Sequence, residues 1–183
     1  MAWPSAQKER SRLQILQSAG ELFTAKGFDS VSIADVMTHA GMTHGAFYAH
    51  FKSKKALYVE ALPFAAQRSF SNHQRDEQRT QQALASYLSE AHVEGRSPAC
   101  PLAFLVTDVA AKEPDVKQAY TAAFKGFLKA IEHGDTSIDS QHSLVLSAMM
   151  IGGVAVARSL SDPELKAAML AACLQHGEQL LGS

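Results

Sequence analysis

Apolar residues recur at three- and four-residue intervals along most of the chain, and this spacing restricts the fold more than any other feature of the sequence. In the first such stretch Ile15, Leu16, Ala19 and Phe23 fall on one face of a helix that we place at residues 7–26. No strand pattern competes with the helical one, because apolar and polar residues do not alternate over a comparable length. The sequence therefore predicts an all-α fold of about nine helices.

Glycines and prolines mark where these helices end. Gly27 follows Lys26 and predicts a left-handed cap for the first helix, since glycine reaches positive φ without strain. Pro63 is expected to kink the helix that contains it. Later breaks separate further predicted helices at residues 54–73, 76–94, 101–112, 115–133, 137–159 and 163–181.

Two short helices are predicted directly after the first one. Ser32 and Asp35 form a capping-box pattern, in which the hydroxyl accepts from a backbone amide and the acid favours the helix N-terminus. A turn at residues 40–42 ends that helix, and Thr43 is expected to cap a second one of about two turns at residues 43–50. Two short helices joined by a tight, glycine-containing turn are typical of a helix-turn-helix, a unit that binds DNA.

The next helix begins with two lysines. Ser53 is expected to cap it, and Lys54 and Lys55 occupy its first positions. Positive side chains there oppose the helix macrodipole and cost roughly 0.3–1 kcal/mol each. A DNA phosphate would offset this cost, because a helix N-terminus with two ammonium groups attracts an anion. The alternative is that both lysines are solvated side chains on a stable helix.

The first sixty residues resemble the N-terminal signature of the TetR/AcrR family of transcriptional repressors, over about residues 8–60. The matching positions are Ile15, Leu16, Ala19, Leu22, Phe23, Gly27, Phe28, Val31, Ser32, Ile33, Ala40, Gly41, Met42, Thr43, Gly45, Phe47, Tyr48, His50, Phe51, Ser53, Lys54 and Leu57. The resemblance implies a three-helix, helix-turn-helix DNA-binding domain at residues 1–53. It also implies a helical effector-binding and dimerisation domain at residues 54–183.

The same resemblance implies which residues contact a double-stranded DNA operator. Thr43, His44 and Ala46 would meet base edges in the major groove. Tyr48 matches the family's phosphate-binding tyrosine and Lys54 its helix-capping lysine, so both would fix the register on the backbone. Weaker phosphate candidates are Arg12, Ser32 and Lys55, and His50 is either a phosphate donor or a packed side chain.

Two positions depart from the family pattern. His44 stands where many relatives have lysine or a small residue, and its titration near neutral pH would make DNA binding weakly pH-dependent. Lys55 stands where an acid is common. Neither departure changes the resemblance.

A homodimer is expected, because two recognition helices must lie about 34–36 Å apart to reach successive major grooves of a palindromic operator. The last two predicted helices are rich in Ala, Leu and Met, and Gly152-Gly153 would let another backbone come close. In relatives these helices pair with their mates in a four-helix bundle. The alternative is that the same apolar stripe packs inside the chain's own core.

Relatives enclose a pocket for a small-molecule effector between the DNA-binding unit and the dimer helices. Aromatic or sulfur-containing residues that could line one here are Phe64, Phe70, Tyr87, Phe104, Tyr120, Phe124 and Met149. Each of them also fits an ordinary helical core.

Cys100 is a second candidate for effector recognition. It precedes a predicted helix, where the macrodipole can lower the pKa of a thiol and raise its thiolate fraction. The segments around Asp108 and at residues 152–163 resemble TetR relatives that carry a cysteine here, some of which respond to electrophiles or oxidants. Cys100 is therefore either a sensor modified by such a compound or a small buried residue beside a helix start.

Composition and motifs limit the other classes of protein to which the chain could belong. With 46% hydrophobic and 19% charged residues the chain is a folded protein, and its net charge of −1 requires any DNA contact to be local. Its apolar stretches are too short to span a bilayer, and no signal core follows the N-terminus, so we expect a cytoplasmic protein without membrane contact. Two isolated cysteines and scattered histidines indicate no metal site, and no motif indicates a cofactor or an enzyme. The rivals are a helical ligand-binding dimer that no longer reads DNA and an activator of the same fold.

Overall fold

A computed structural model describes residues 5–70, 77–96, 99–134 and 138–181 of the chain. Within these ranges the backbone forms ten α-helices, one 3₁₀ helix and no strand, which confirms the predicted all-α class. The α-helices are α1 (Ser5–Lys26), α2 (Ile33–His39), α3 (Lys54–Phe70), α4 (Glu77–Tyr87), α5 (Glu90–Val93), α6 (Pro101–Phe104), α7 (Val106–Ala110), α8 (Pro114–Gly134), α9 (Ser140–Ser159) and α10 (Pro163–Leu181). The 3₁₀ helix spans His44–Ala49 and is called the recognition segment below.

The N-terminal unit forms around α1. This helix buries the apolar face that its spacing predicts, with Ile15, Ala19 and Phe23 almost fully inaccessible to solvent. Gly27 ends it at φ 78°, and its N–H donates to the carbonyl oxygen of Phe23 at 2.8 Å. The predicted left-handed cap is therefore confirmed.

Two predicted helices are each divided in the structure. In place of one helix at residues 76–94, α4 ends at Tyr87 and α5 begins after Ser89, whose hydroxyl accepts from the His92 N–H at 3.2 Å. In place of one helix at residues 101–112, α6 and α7 meet at Leu105, whose ψ of 5° lies outside the helical region. The start of residues 76–94, the end of residues 54–73 and the start of residues 137–159 lie outside the described residues.

Helix α3 connects the N-terminal unit to the rest of the molecule. It continues through Pro63 and packs against α1 on one side and α8 on the other. The contact with α1 is close at Gly20, where an added Cβ would lie 2.9 Å from the Cβ of Ala65. Helix α3 is therefore held by both parts of the fold.

Helices α8, α9 and α10 complete the core behind α3. By length and hydropathy alone α9 is the one helix in the described residues that could cross a membrane. Eight of its residues are buried against neighbouring helices, as in the core helix of a folded protein. Two of these are Ser143 and Ser147, whose hydroxyls donate to the carbonyl oxygens of Ser140 and Ser143 at 3.0 and 2.7 Å.

Candidate nucleic-acid interface

The turn into α2 is closed by a reciprocal cap. The Ser32 hydroxyl accepts from the Asp35 N–H at 3.1 Å, and the Asp35 carboxylate accepts from the Ser32 N–H at 2.8 Å and from its hydroxyl at 2.7 Å. The predicted capping box is thus confirmed. These hydrogen bonds, first of all from the Ser32 hydroxyl, lower the pKa of Asp35. The Ser32 hydroxyl already donates its proton to an ionised carboxylate, so Ser32 is a poor contact for a phosphate.

The recognition segment is tighter than predicted. Residues 43–50 were expected to be an α-helix capped by Thr43, but His44–Ala49 is a 3₁₀ helix and the Thr43 hydroxyl makes no capping hydrogen bond. A short segment that contains Gly45 and lacks a side-chain cap has little to favour α-helical geometry, and short helices are often 3₁₀. Phe47 anchors it, fully buried, with its ring 5.9 Å from that of Phe51.

The residues predicted to read DNA are wholly or partly exposed to solvent. Thr43 and His44 are exposed and Ala46 is partly exposed. Tyr48 is 63% exposed, and its ring stands edge-on to Phe47 at 5.2 Å and near His44 at 6.0 Å. The ring of Tyr48 is therefore held by its neighbours while the side chain faces solvent.

A groove of about 880 Å³ runs between the recognition segment and the start of α1. It is lined by Gln7, Lys8, Ser11, Met42, Thr43, Ala46, Ala49 and His50. The Nδ1 atom of His50 is buried and has no hydrogen-bond partner among the described residues. Burial lowers the pKa of His50, and the charges of Lys8 and Arg12 lower it further. An anion placed here would favour a protonated His50, and Lys8 is a neighbour that the sequence pattern did not single out.

Both lysines at the start of α3 have internal neighbours. The Lys54 ammonium lies 4.2 Å from the ring centroid of Phe28, and the Lys55 ammonium lies 3.1 Å from the Asp115 carboxylate at the start of α8. Asp115 raises the pKa of Lys55 by a hydrogen bond. The electrostatic cost of two lysines at a helix N-terminus is thus offset inside the protein, which the sequence alone could not reveal.

Arg12 is directed inward as well. Its guanidinium pairs with Glu60 on α3 and lies 4.9 Å from the centroid of the Phe51 ring. This pair ties α1 to α3. A phosphate would have to compete with Glu60 for Arg12.

A polar junction joins the N-terminal unit and α3 to α7 and the turn that follows it. The Tyr58 hydroxyl donates to the Asp108 carboxylate at 2.7 Å, and Lys112 lies 2.7 Å from Asp29 and 3.5 Å from Asp108. Burial and the hydrogen bond to Asp108 raise the pKa of Tyr58, so its hydroxyl stays protonated. The sequence does not indicate this junction, because the two contacts that cross it, Tyr58 with Asp108 and Asp29 with Lys112, join residues at least fifty positions apart.

The predicted effector residues converge only in part. Tyr87, Phe104 and Tyr120 gather around Cys100, together with His92, which sequence reasoning missed. Phe64, Phe124 and Met149 are partly buried side chains that pack against the core. The side chain of Phe70 lies outside the described residues.

His92 is the centre of this cluster. Its Nε2 accepts from the Cys100 N–H at 3.1 Å, so its Nδ1 carries the proton and donates to the Tyr87 carbonyl oxygen at 2.6 Å. Burial lowers the pKa of His92, and the nearby Arg158 charge lowers it further, which keeps the ring neutral. Arg158 stacks on Phe104 with its guanidinium carbon 3.3 Å from the ring centroid.

Cys100 is buried beside the start of α6, as one of its two expected alternatives has it, but the pKa of its thiol is not lowered as expected. Its side chain is fully buried, and burial raises the pKa of the thiol, although contacts with the Tyr87 hydroxyl and two backbone amides lower it. The expected lowering by a helix N-terminus is wrong, because α6 is one turn long and desolvation outweighs it. The resting thiol is therefore protonated and enclosed.

Exposed apolar side chains concentrate on α9 and α10. Of the six large hydrophobic residues that are highly exposed in the described part of the chain, four lie there: Leu144, Val145, Val156 and Leu165. Gly152 is on this open face, with nothing within 4 Å of an added Cβ. Gly153 instead faces inward, where a Cβ would lie 3.1 Å from the Cys173 sulfur of α10. Gly152 therefore leaves the exposed face of α9 open, whereas Gly153 allows close packing of α9 against α10.

The similarity in sequence to a known family lies in the N-terminal unit. The sequence profile of a family described as bacterial regulatory proteins, tetR family, matches residues 15–61. The HTH-type transcriptional regulator AcrR of Shigella flexneri is 40% identical over 52 residues, which is 28% of this chain and 24% of that protein. The HTH-type transcriptional repressor KstR2 of Mycolicibacterium smegmatis is 33% identical over 57 residues, 31% of this chain and 28% of that protein. The matches therefore span less than a third of these relatives' lengths.

Solved structures are similar over the whole chain. The reduced form of NemR from E. coli superimposes with a TM-score of 0.70 and 17% identity, covering 94% of this chain and 97% of its own. A TetR-family transcriptional regulator from Cytophaga hutchinsonii gives a TM-score of 0.70 at 15% identity, covering both chains completely. At these identities the likeness shows the fold.

Proposed function

Because the chain belongs to the TetR/AcrR family of transcriptional regulators, we propose that it is a cytoplasmic repressor that binds a palindromic operator as a homodimer and is released by an effector. The observation that carries the proposal is the recognition segment. It leaves Thr43, His44 and Tyr48 exposed and Ala46 partly exposed, and the buried Phe47 anchors it. Small and polar side chains near its start suit base edges, and Tyr48 suits a phosphate.

DNA selection tests this proposal directly. Duplexes bound by the purified protein are selected from a random pool, and their affinity is compared with that of random duplexes at fixed salt. We expect a palindromic site, preferred by several orders of magnitude over random DNA. Tyr48→Phe and Lys54→Met should weaken both kinds of binding about equally, since they act on the backbone. Lys129→Met, which removes a charge from the exposed side of α8, is the matched control. A folded protein with no sequence preference would refute DNA reading and favour a helical ligand-binding dimer.

The proposed dimer uses the open face of α9 and α10. Four of the six highly exposed large apolar side chains lie on these helices, and a second copy of the same face would cover them. Leu144→Glu should give a folded monomer with much weaker operator binding, as seen by light scattering and DNA titration. Leu13→Glu, an equally apolar and exposed position on α1, should remain dimeric. Equal dimerisation of both variants would refute this interface.

For the effector, we propose the cluster of Cys100, Tyr87, His92, Phe104 and Tyr120. An adduct on Cys100 has no room in its fully buried position, so modification would stabilise an opened α6 and thereby shift the dimer towards a state that releases DNA. The closed thiol also means that modification waits for local opening. A non-covalent effector in the same cluster would act by the same differential affinity.

Operator release measured with quinones, aldehydes or hypochlorite tests the covalent route. Wild-type protein should release the operator, and Cys100→Ser should not, whereas Cys173→Ser should behave as wild type. Unchanged release by Cys100→Ser would assign Cys100 a structural role. Transcription from the operator in a reporter strain separates a repressor from an activator of the same fold.

A further inference from the structure

Lys55 pairs with Asp115 in the free protein, with the ammonium nitrogen 3.1 Å from a carboxylate oxygen. We infer that Asp115 restrains DNA binding by holding Lys55, so that the first turn of α8 and a DNA phosphate compete for the same ammonium group. The inference rests on the proposed function, because DNA is the competing partner. Through this competition the first turn of α8 would have a direct electrostatic effect on operator affinity.

The geometry of the pair makes it specific. Asp115 uses one carboxylate oxygen to accept from the Val116 N–H at 3.0 Å, which fixes the side chain on its own helix. Its other oxygen lies 3.1 Å from the Lys55 ammonium on α3. The carboxylate is therefore a fixed acceptor, and the lysine is the group that moves.

The three lysines of this region differ in how firmly they are held. Lys112 is enclosed, with only 15% of its side chain exposed, between two carboxylates and the Phe28 ring. The ammonium of Lys54 lies over an aromatic ring, and this contact contains no acid. Lys55 alone among the three pairs with a single acid while about half exposed, 46% for the lysine and 48% for Asp115. It is the lysine whose partner is most easily exchanged.

The ion pair of Lys55 with Asp115 is weak enough for a DNA phosphate to replace it. An exposed ion pair is weak, because water and salt screen it and both side chains lose freedom. A phosphate contact gains from the high charge density of DNA and from counterion release. Removal of Asp115 should therefore tighten DNA binding by about two- to fivefold per half-site, or about 4- to 25-fold for a dimer on both half-sites.

The test compares four proteins by fluorescence anisotropy: wild type, Asp115→Asn, Lys55→Met and the double variant. Asn keeps the size of Asp115 and can still accept from the Val116 N–H. Each protein is titrated with a selected operator and with a random-sequence duplex at low ionic strength. We expect Asp115→Asn to bind both duplexes more tightly, Lys55→Met to bind both more weakly, and the double variant to match Lys55→Met.

Glu113→Gln is the control for charge alone. It removes one negative charge two positions from Asp115, which acts on Lys55 through space, whereas Asp115 holds Lys55 in an ion pair; it should therefore change affinity less than Asp115→Asn. Equal tightening by both variants would reduce the effect to net charge and overturn the inference. Weaker or unchanged binding by Asp115→Asn, or an undiminished gain in the Lys55→Met background, would overturn it as well.

The random duplex separates this inference from the proposed function. Phosphate contacts do not depend on sequence, so Asp115→Asn should tighten non-specific binding even if no operator is found. Failure of the proposed function appears as equal affinity of the wild type for all duplexes. Failure of the inference appears as a wild type that prefers the operator, together with affinities for the operator and for the random duplex that Asp115→Asn leaves unchanged. Thermal unfolding of each variant confirms that the folded protein is being compared.

Discussion

Replacing Tyr87 with Phe is expected to stabilise the protein. The Tyr87 side chain is almost fully buried, and its hydroxyl has no hydrogen-bond partner of ordinary geometry among the described residues. The hydroxyl faces the thiol of Cys100, and sulfur is a weak acceptor. Phe keeps the ring and its stacking on Phe127 at 5.9 Å while it removes the poorly satisfied oxygen.

The magnitude follows from the cost of an unsatisfied polar group. A buried hydroxyl without a partner costs about 1–3 kcal/mol. The contact with the Cys100 thiol recovers part of this, so we expect Tyr87→Phe to raise the free energy of unfolding by about 1–2 kcal/mol. Tyr120 provides the matched contrast, because its hydroxyl donates to the Leu102 carbonyl oxygen at 2.6 Å. Tyr120→Phe should lower the free energy of unfolding by about 0.5–1.5 kcal/mol.

Urea denaturation followed by circular dichroism measures both effects. With a slope of about 2 kcal/mol per molar urea, the midpoint should rise by about 0.5–1 M for Tyr87→Phe and fall for Tyr120→Phe. Protein concentration is held constant, because dimerisation makes apparent stability depend on it. If both variants lose stability to the same extent, the Tyr87 hydroxyl has a partner such as a buried water, and the reasoning about this cluster is wrong.

Three further predictions concern packing and pH. Gly20→Ala should lower the free energy of unfolding by about 1–3 kcal/mol, because the new Cβ would meet the Cβ of Ala65. Gly126→Ala is the control, since the space around its Cβ is open, and it should raise the free energy of unfolding by up to about 1 kcal/mol in the same urea assay. Burial and Arg158 lower the pKa of His92, so the unfolded chain binds a proton at this site more readily than the folded protein does. The stability that His92 contributes is therefore complete above about pH 6.5 and decreases below that pH. His92→Gln should weaken this pH dependence of the urea midpoint. The pKa of His50 is also lowered in the free protein, and a bound phosphate would raise it. Operator affinity should therefore increase as the pH falls below about 6.5. A His50→Gln variant should show a smaller change of affinity over the same pH range.

The features that the sequence predicted correctly are local. The left-handed cap at Gly27 depends on a carbonyl four residues away, and the capping box joins Ser32 to Asp35 within one turn. The apolar face of α1 follows from spacing within a single helix. Such features need no knowledge of the tertiary fold.

The features that the sequence did not predict depend on residues that are distant along the chain. The burial of Cys100 comes from helices packed around it and outweighs the short α6, which reversed the expected direction of its pKa shift. The partners of Arg12 and Lys55 lie on other helices, 48 and 60 positions away. Charge at a helix start indicated that some anion was needed, but only the fold identifies Asp115 as that anion.

The 3₁₀ pitch of the recognition segment determines which side chains share an edge. With three residues per turn, Thr43, Ala46 and Ala49 fall in one row, and all three line the groove beside α1. At about 2.0 Å per residue this row is about 12 Å long, which corresponds to three or four base steps of about 3.4 Å. One hydroxyl followed by two methyl groups suits contact with thymine methyls better than a dense set of hydrogen bonds. A duplex read along such a row would have short, thymine-containing half-sites, and much of its discrimination would come from the shape and flexibility of the DNA between them.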